Sequence, residues 1–405
     1  MKKTLLLLIL FLPVLLFSQE EQKLNIGFSG YVGYEMYFDT YNSVTSRDGE
    51  VYLYPLRESL DINDDDINKN FQAQMLAIQS RVRMTASGID AFGAKTQGVI
   101  EGDYLGTTQA YTRLFRLRHA YVQLNWEKGE LIAGQTWHPM FVTGCFPAVF
   151  SFGAAAPFHP LNRAPQLRYT FMPNDNMDIM GAILYHGDFS STGPAYAQQN
   201  SGIPDIQFQF RFHNDQIYTG LTAGYKFLQP RNVTSAGVIT TEKVGSYNFQ
   251  LFAKATISKI IVKVEGVYGQ NLTNFVMIGG YGAAENPALV DDYSYKNIST
   301  LSFWTEVMSN FDKFNFGFFA GYSSNLKGGG NYYSLNYDRD EEIKYIYRLS
   351  PRAEYKSGKV TLTLEHMLTG AVYGDLDTAN DKYEFTSTDK ATLNHRLMLG
   401  VKYNF

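Results

Sequence analysis

The chain has 405 residues, among them 29 Tyr, 29 Phe and 35 Gly against 13 Pro, with 18% charged residues and a formal charge of -4. That length holds two or three ordinary domains or one large closed sheet, and the acidic balance gives no support for nucleic-acid binding. A mean hydropathy of -0.22, with no apolar run after residue 18 long enough for a spanning helix, excludes a helical membrane protein.

The N-terminus reads MKKTLLLLILFLPVLLFSQE, with Lys2 and Lys3 ahead of an apolar run of 13 residues from Leu5 to Phe17. Spanning a bilayer takes roughly 18 or more residues, so residues 1–18 read as a cleaved secretory signal. Leu16 is a poor fit to the small residue usual before such a cut. Losing Lys2 and Lys3 takes the formal charge from -4 to -6. Residues 19–405 show neither an internal repeat nor a linker and are expected to form one domain.

From Leu24 the chain alternates. Phe28, Gly30, Val32, Tyr34, Met36 and Phe38 share one face, and Ser29, Tyr31, Gly33, Glu35, Tyr37 and Asp39 share the other. Apolar residues toward lipid and polar or small ones toward water is the pattern of a barrel strand, whose mean hydropathy stays near that of a soluble protein. An acidic loop, 41–70, follows with Asp64, Asp65 and Asp66. It reads as a solvated exterior loop, because scattered carboxylates without a suitably placed turn glycine are weak metal ligands. No metal or other cofactor is expected.

The second strand places Arg81 and Arg83 on its polar face, and the third places Glu101 and Asp103 with Lys95 and Gln97. In LFRLRHAYVQLNW, Arg116 and Arg118 fall in step with Val122, Leu124 and Trp126, which requires either a β-bulge or an arginine at the rim. The fifth strand then runs into 138–162, a segment with no Lys, Arg, Asp or Glu. Loops of this length are usually polar and exposed, so one this apolar should be packed inside something. The expectation is that it folds into a closed barrel and narrows it. His138, Phe141, Cys145, Phe150, Phe158, His159 and, just beyond, Arg163 are the expected constriction residues. Cys145, the only cysteine, cannot form an internal disulfide and reads as a buried, inert thiol.

After the loop, Gln166, Arg168 and Thr170 alternate with Leu167, Tyr169 and Phe171. Strand-like segments continue near 177–188, 203–213, 216–228, 245–257, 260–274, 298–310, 314–325, 340–357, 359–370 and 392–405, joined alternately by tight turns and long loops. The total is about sixteen, an even number as single-chain bacterial barrels require. In the last strand Leu393, His395, Leu397, Leu399, Val401, Tyr403 and Phe405 share one parity, and the chain ends on that phenylalanine. The expected fold class is all-β, a transmembrane antiparallel β-barrel.

By strand count and by the place of the apolar loop, the chain resembles the sixteen-stranded trimeric porins of the outer membrane, in which the third exterior loop folds into the lumen. More narrowly, GVIEGDYLG (98–106), LRHAYVQL (117–124) and LIAGQTWHPMF (131–141) resemble the DcaP-like porins of Gram-negative bacteria, over about residues 93–141. The aromatic terminus resembles the signal read by the barrel assembly machinery. The resemblance implies a homotrimer in the outer membrane of a Gram-negative bacterium, among its lipid and lipopolysaccharide, inserted by that machinery. It implies a passive channel for small anionic solutes such as dicarboxylates, and not an enzyme.

A physical reading of selection stands beside it. Barrel closure sets the last strand next to the first, which would bring Arg396 near Arg81 and Arg83, with Arg116, Arg118 and Arg168 extending a basic wall. Guanidinium groups stay charged and fork onto carboxylates, and a narrow lumen with low-dielectric walls strengthens their field. Against this, Glu35, Glu101 and Asp103 face the same interior and can pair with the arginines, giving a balanced, weakly selective lining. Lys344, Arg348 and Arg352 form a second inward strip, or else compensate Glu354 and the acids of 338–342. Tyr332, Tyr333 and Tyr337 read as girdle residues or as platforms for sugar rings, so a carbohydrate-preferring channel is an alternative. A plugged barrel serving as an adhesin or lipid-modifying enzyme is a further one. For the last, His366 and His395 lie on the outward parity of the final two strands, with no serine within two residues on either strand.

Overall fold

The alternation builds a closed antiparallel sheet in the computed structural model, which describes residues 23–285, 293–326, 335–377 and 383–405. The expected signal at 1–18 lies outside the described residues, as do Tyr332 and Tyr333. Sixteen strands form the wall. In chain order they are β1 (Asn25–Asp39), β2 in two pieces (Gln72–Leu76 and Arg81–Ser87), β3 (Lys95–Asp103), β4 (Arg116–Trp126) and β5 (Gly129–Trp137). Next come β6 (Arg163–Asn174), β7 (Met177–Leu184), β8 (Asp205–His213), β9 (Ile217–Leu228), β10 (Val244–Ile257) and β11 (Ile260–Gln270). The last five are β12 (Tyr293–Ser309), β13 (Phe314–Asn325), β14 (Ile343–Ser357), β15 (Val360–Tyr373) and β16 (Thr392–Asn404). β16 pairs back onto β1 in register from Tyr31–Asn404 to Asp39–Arg396, which removes the open edges a sheet would otherwise present.

The two parities of each strand meet different surroundings. Phe28, Phe208, Leu251, Phe303, Phe316, Leu364 and Leu399 are exposed, whereas Gln209, Gln250, Ser302, Asn315 and Glu365 on the same strands are buried. A soluble monomer rarely exposes an apolar patch beyond a few hundred Å², so a band of this kind around a closed cylinder is the surface that lipid covers. Tight turns join β6 to β7, β8 to β9, β10 to β11, β12 to β13 and β14 to β15 at one end, and the longer connections gather at the other.

Departures from regular strand geometry are local and have visible causes. Between β3 and β4 the register slips from Glu101–His119 to Gly102–Leu117, leaving Arg118 as the extra residue. This bulge turns both Arg116 and Arg118 inward, where they are buried, while Leu117 and Val122 stay exposed. The gap in β2 at 77–80 is bridged by Ser80, whose Oγ accepts the Gly33 amide at 3.1 Å. Gly279–Glu285, within a stretch read as loop, pairs with β12 and with Leu335–Arg339, extending the sheet beyond the barrel.

The loop 41–70 is not uniformly solvated, contrary to the reading from sequence. Ser43–Ser46 and Val51–Pro55 form a hairpin in which Val51, Tyr52, Leu53 and Tyr54 are at most 4% exposed. Its turn runs through Arg47, Asp48 and Gly49, all left-handed, and is held by the Tyr37 hydroxyl on the Asp48 carbonyl and by Arg396 on the Gly49 carbonyl. Only the second half, with the Asp64–Asp66 triad, faces solvent. The apolar run VYLYP inside an acidic loop is the reason: it cannot stay in water while the flanking carboxylates can.

Candidate functional site

Two segments outside the wall strands, the 43–55 hairpin and 138–162, and the buried parity of the wall build the site. Val51, Leu53 and Tyr54 of the hairpin share an apolar cluster with Phe141, Val142, Cys145, Phe158 and Leu161 of segment 138–162, against Phe252, Trp304, Phe319 and Ile346 of β10, β12, β13 and β14. Irregular backbone buried in this way needs hydrogen-bond partners, and the strands supply them. The Phe150 amide donates to Glu365 at 2.6 Å, and His159 Nδ1 lies 2.9 Å from Glu265. Arg348 donates to the carbonyls of Leu53 at 2.7 Å and Ala156 at 2.9 Å, so one guanidinium holds both segments. Glycine gives the rings room: a Cβ on Gly400 of β16 would lie 1.8 Å from the Phe150 ring, and one on Gly321 of β13 would lie 2.8 Å from Phe158.

The remaining segment residues expected at a constriction fall around this cluster. His138 Nε2 is 3.5 Å from Asp205, Arg163 pairs with Asp188, and the Phe141 ring stacks on Trp137 with centroids 3.7 Å apart. Cys145 is buried, and burial pushes its thiol up to about 12, so it stays protonated and unreactive.

Four of the expected arginines gather on β2 and β4 around the two carboxylates of β3. Arg118 reaches Glu101 at 2.7 Å and Asp103 at 2.8 Å, and Arg116 reaches Asp103 at 2.7 Å. Arg81 and Arg83 stand farther off, at 3.5 and 3.4 Å from Glu101. Buried pairs of this sort hold geometry more than they add stability. Arg168 on β6 is different: its Nε is buried and has no hydrogen-bond partner among the described residues.

Two sequence expectations are corrected here. Arg396 does not adjoin Arg81 or Arg83: its partner across β1 is Asp39, eight residues along from Tyr31, the partner of Arg81, which is about 27 Å of extended strand. There it chelates Asp39 at 2.7 Å and lies over the Tyr37 and Tyr52 rings, a structural clamp on the first hairpin. Among the described residues Glu35 pairs with no arginine; it is buried beside Glu50 of the hairpin, which accepts from Gln79 at 2.9 Å. On β14, Arg352 compensates Glu306 at 3.1 Å and Glu354 at 3.0 Å, while Arg348 binds backbone carbonyls.

Two cavities of about 440 and 410 Å³ meet at Arg81, Trp137, Phe141 and Thr143, which line both. The larger is also lined by Arg83, Arg168, Arg211, Glu101 and Glu130. The smaller is lined by Arg118, Arg163 and Lys402, with no carboxylate. Together that is seven Arg or Lys against two Glu, although Arg118, Arg163 and Arg211 also have carboxylate partners outside the lining, in Asp103, Asp188 and Asp178. Sequence reading missed Arg211 and Lys402 as lining residues, although their polar parity in QFQFRFH and in the last strand was available.

A closed sixteen-stranded wall, a lipid-facing apolar band and a charged interior define a transmembrane barrel of the porin fold. The chain is similar to the outer membrane channel DcaP of Acinetobacter baumannii, at 12% identity over 94% of this chain and 97% of that one, with a TM-score of 0.68. An anion-selective porin from Comamonas acidovorans is similar at 10% identity over 95% and 100% of the two chains, TM-score 0.58. OmpT of Vibrio cholerae, in a trimer form, is similar at 12% identity over 94% and 99%, TM-score 0.53. No family model and no curated protein sequence matches this chain. At these identities the likeness is one of fold.

Proposed function

We propose that the protein is an outer-membrane diffusion channel of a Gram-negative bacterium that passes small hydrophilic solutes and favours small anions such as dicarboxylates. In this reading segment 138–162 is the third exterior loop, folded into the lumen, with the first hairpin packed beside it. The observation that carries the anion preference is the lining where the two cavities meet, where guanidinium groups outnumber carboxylates and the buried Nε of Arg168 has no hydrogen-bond partner among the described residues. A fixed positive lining in a narrow, low-dielectric passage concentrates anions and excludes cations. The anion-selective porin among the similar structures and the trimer form of OmpT support the selectivity and a homotrimer by likeness of fold.

The alternatives have less behind them. Tyr337 packs against Tyr281 with centroids 5.0 Å apart across the paired strands Gly279–Glu285 and Leu335–Arg339, and neither lines the two cavities. His366 and His395 do neighbour each other on the outward face, but their ring nitrogens bond one another at 3.1 Å, and the reading as a non-enzyme is kept. Reconstitution of the full-length protein in planar bilayers tests the channel: stepwise current is expected, and a bilayer that stays silent contradicts it.

A further inference from the structure

A third cavity, of about 620 Å³, shares no lining residue with the two of the passage, and its lining is of two kinds. Leu117 belongs to the lipid-facing parity of β4, and Leu114 and Phe115 of the loop before it are exposed alongside. The charged lining is Arg47, from the turn of the first hairpin, and Arg116, 2% and 4% exposed, with Asp188. The acids nearby are already engaged. Arg116 commits Nε and Nη2 to Asp103, which Arg118 also holds, and Asp188 pairs with Arg163. Arg47 donates from Nη2 to the Thr107 carbonyl at 2.9 Å, and its buried Nη1 has no hydrogen-bond partner among the described residues. Burial and the neighbouring Arg116 guanidinium push Arg47 down to about 10, so it stays charged at neutral pH.

An arginine this buried normally has a charged partner, and guanidinium donors fork onto phosphate oxygens. A free anion would leave the apolar lining unused, and a bare acyl chain would leave the charged lining unpaired. An amphiphile with a phosphate head uses both. Arg116 is the first residue of β4, and strand ends are where a barrel meets the headgroup layer. We propose that this cavity is a lateral lipid-phosphate site, in which the phosphate of a membrane lipid lies against Arg47 and Arg116 and its chain lies over Leu114, Phe115 and Leu117. The volume holds such a head with the first carbons of its chain. Arg47 opens the turn of the hairpin that Arg348 joins to segment 138–162, so a lipid bound there steadies both. The site does not depend on what passes through the lumen.

Thermal unfolding of the full-length protein in dodecyl maltoside micelles is the readout, titrated with decyl phosphate, inorganic phosphate or decyl maltoside. Decyl phosphate is expected to raise the melting temperature, with half its effect at a concentration at least about tenfold below that of inorganic phosphate, a factor that about two buried methylenes supply. Arg47→Gln should raise that concentration about tenfold, the loss of one charged hydrogen bond. Leu114→Ser should weaken decyl phosphate and leave inorganic phosphate as it was. No stabilisation by decyl phosphate overturns the proposal. Inorganic phosphate acting as strongly overturns it in favour of a free-anion site, and decyl maltoside acting as strongly overturns it in favour of a plain apolar groove. A response that neither variant changes places the lipid elsewhere and overturns it too. None of these outcomes involves current, so failure here leaves the channel reading intact, and a silent bilayer leaves this site intact.

Discussion

Glu306 of β12 accepts the backbone amide of Ala148 at 2.9 Å. The same carboxylate holds Lys263 at 3.0 Å and Arg352 at 3.1 Å, and all three charged groups are buried. An apolar segment is thus fixed to the wall through its backbone, by an acid that two cations keep in place.

Removing that acid should free the segment. Glu306→Ala leaves Lys263 and Arg352 facing each other and the Ala148 amide unpaired, a change expected to cost roughly 3–5 kcal/mol. Urea unfolding in detergent should show the loss, and single-channel conductance should rise as the segment leaves its seat. Unchanged conductance in a folded variant would separate segment 138–162 from the conducting path.

Gly400 and Phe150 make a second test of the same packing. Gly400→Ala puts a methyl into the Phe150 ring, an overpacking expected to cost about 1–3 kcal/mol. Adding Phe150→Ala should recover most of it, because the clash needs both groups, and a double-mutant cycle with no coupling would show that the two do not touch.

The arginines should divide by function. Arg83 touches Glu101 only at 3.4 Å and is partly exposed to the cavity, so Arg83→Gln should leave the melting temperature nearly unchanged and lower the anion-to-cation permeability ratio. Arg118 is buried between Glu101 and Asp103, so Arg118→Gln should destabilise the barrel by roughly 1.5–3 kcal/mol, because each carboxylate loses one charged hydrogen bond while Asp103 keeps Arg116 and Glu101 keeps the longer contacts to Arg81 and Arg83. Equal selectivity changes from the two would contradict this division.

The charged residues were easier to find in the sequence than their neighbours were. Period-two alternation set the strand count and parity, and the lack of charge in 138–162 marked the packed segment. What stayed hidden was register. Arg396 looked adjacent to Arg81 because their strands both pair with β1, but nothing in the sequence sets where along β1 each one falls. The bulge at Arg118 was foreshadowed by a parity clash, but its position was fixed only by the pairing of Gly102 with Leu117. The buried hairpin was legible in VYLYP and was masked by the acids around it. Glycines such as Gly321 and Gly400 were a further signal, since each is the seat of a ring from segment 138–162.

The strand pair Gly279–Glu285 and Leu335–Arg339 beyond the barrel should respond to pH. Burial and neighbouring acids, Glu341 foremost, push Asp338 up to about 7, and burial with Glu342 nearby pushes Asp340 up to about 6. A carboxyl whose folded-state value is raised binds more protons folded than unfolded, so its contribution favours this strand pair at low pH and is lost as pH rises toward the folded value. Amides in Gly279–Glu285 and Leu335–Arg339 should therefore lose protection against hydrogen exchange between about pH 4 and pH 7, after correction for intrinsic rates. Protection that grows over that interval would reverse the sign.

The zero-current potential of the reconstituted channel across a tenfold KCl gradient tests the central claim most directly. If the lining of Arg81, Arg83, Arg118 and Arg168 governs passage, chloride runs ahead of potassium and the dilute side settles negative. A dilute side that settles positive would contradict the account.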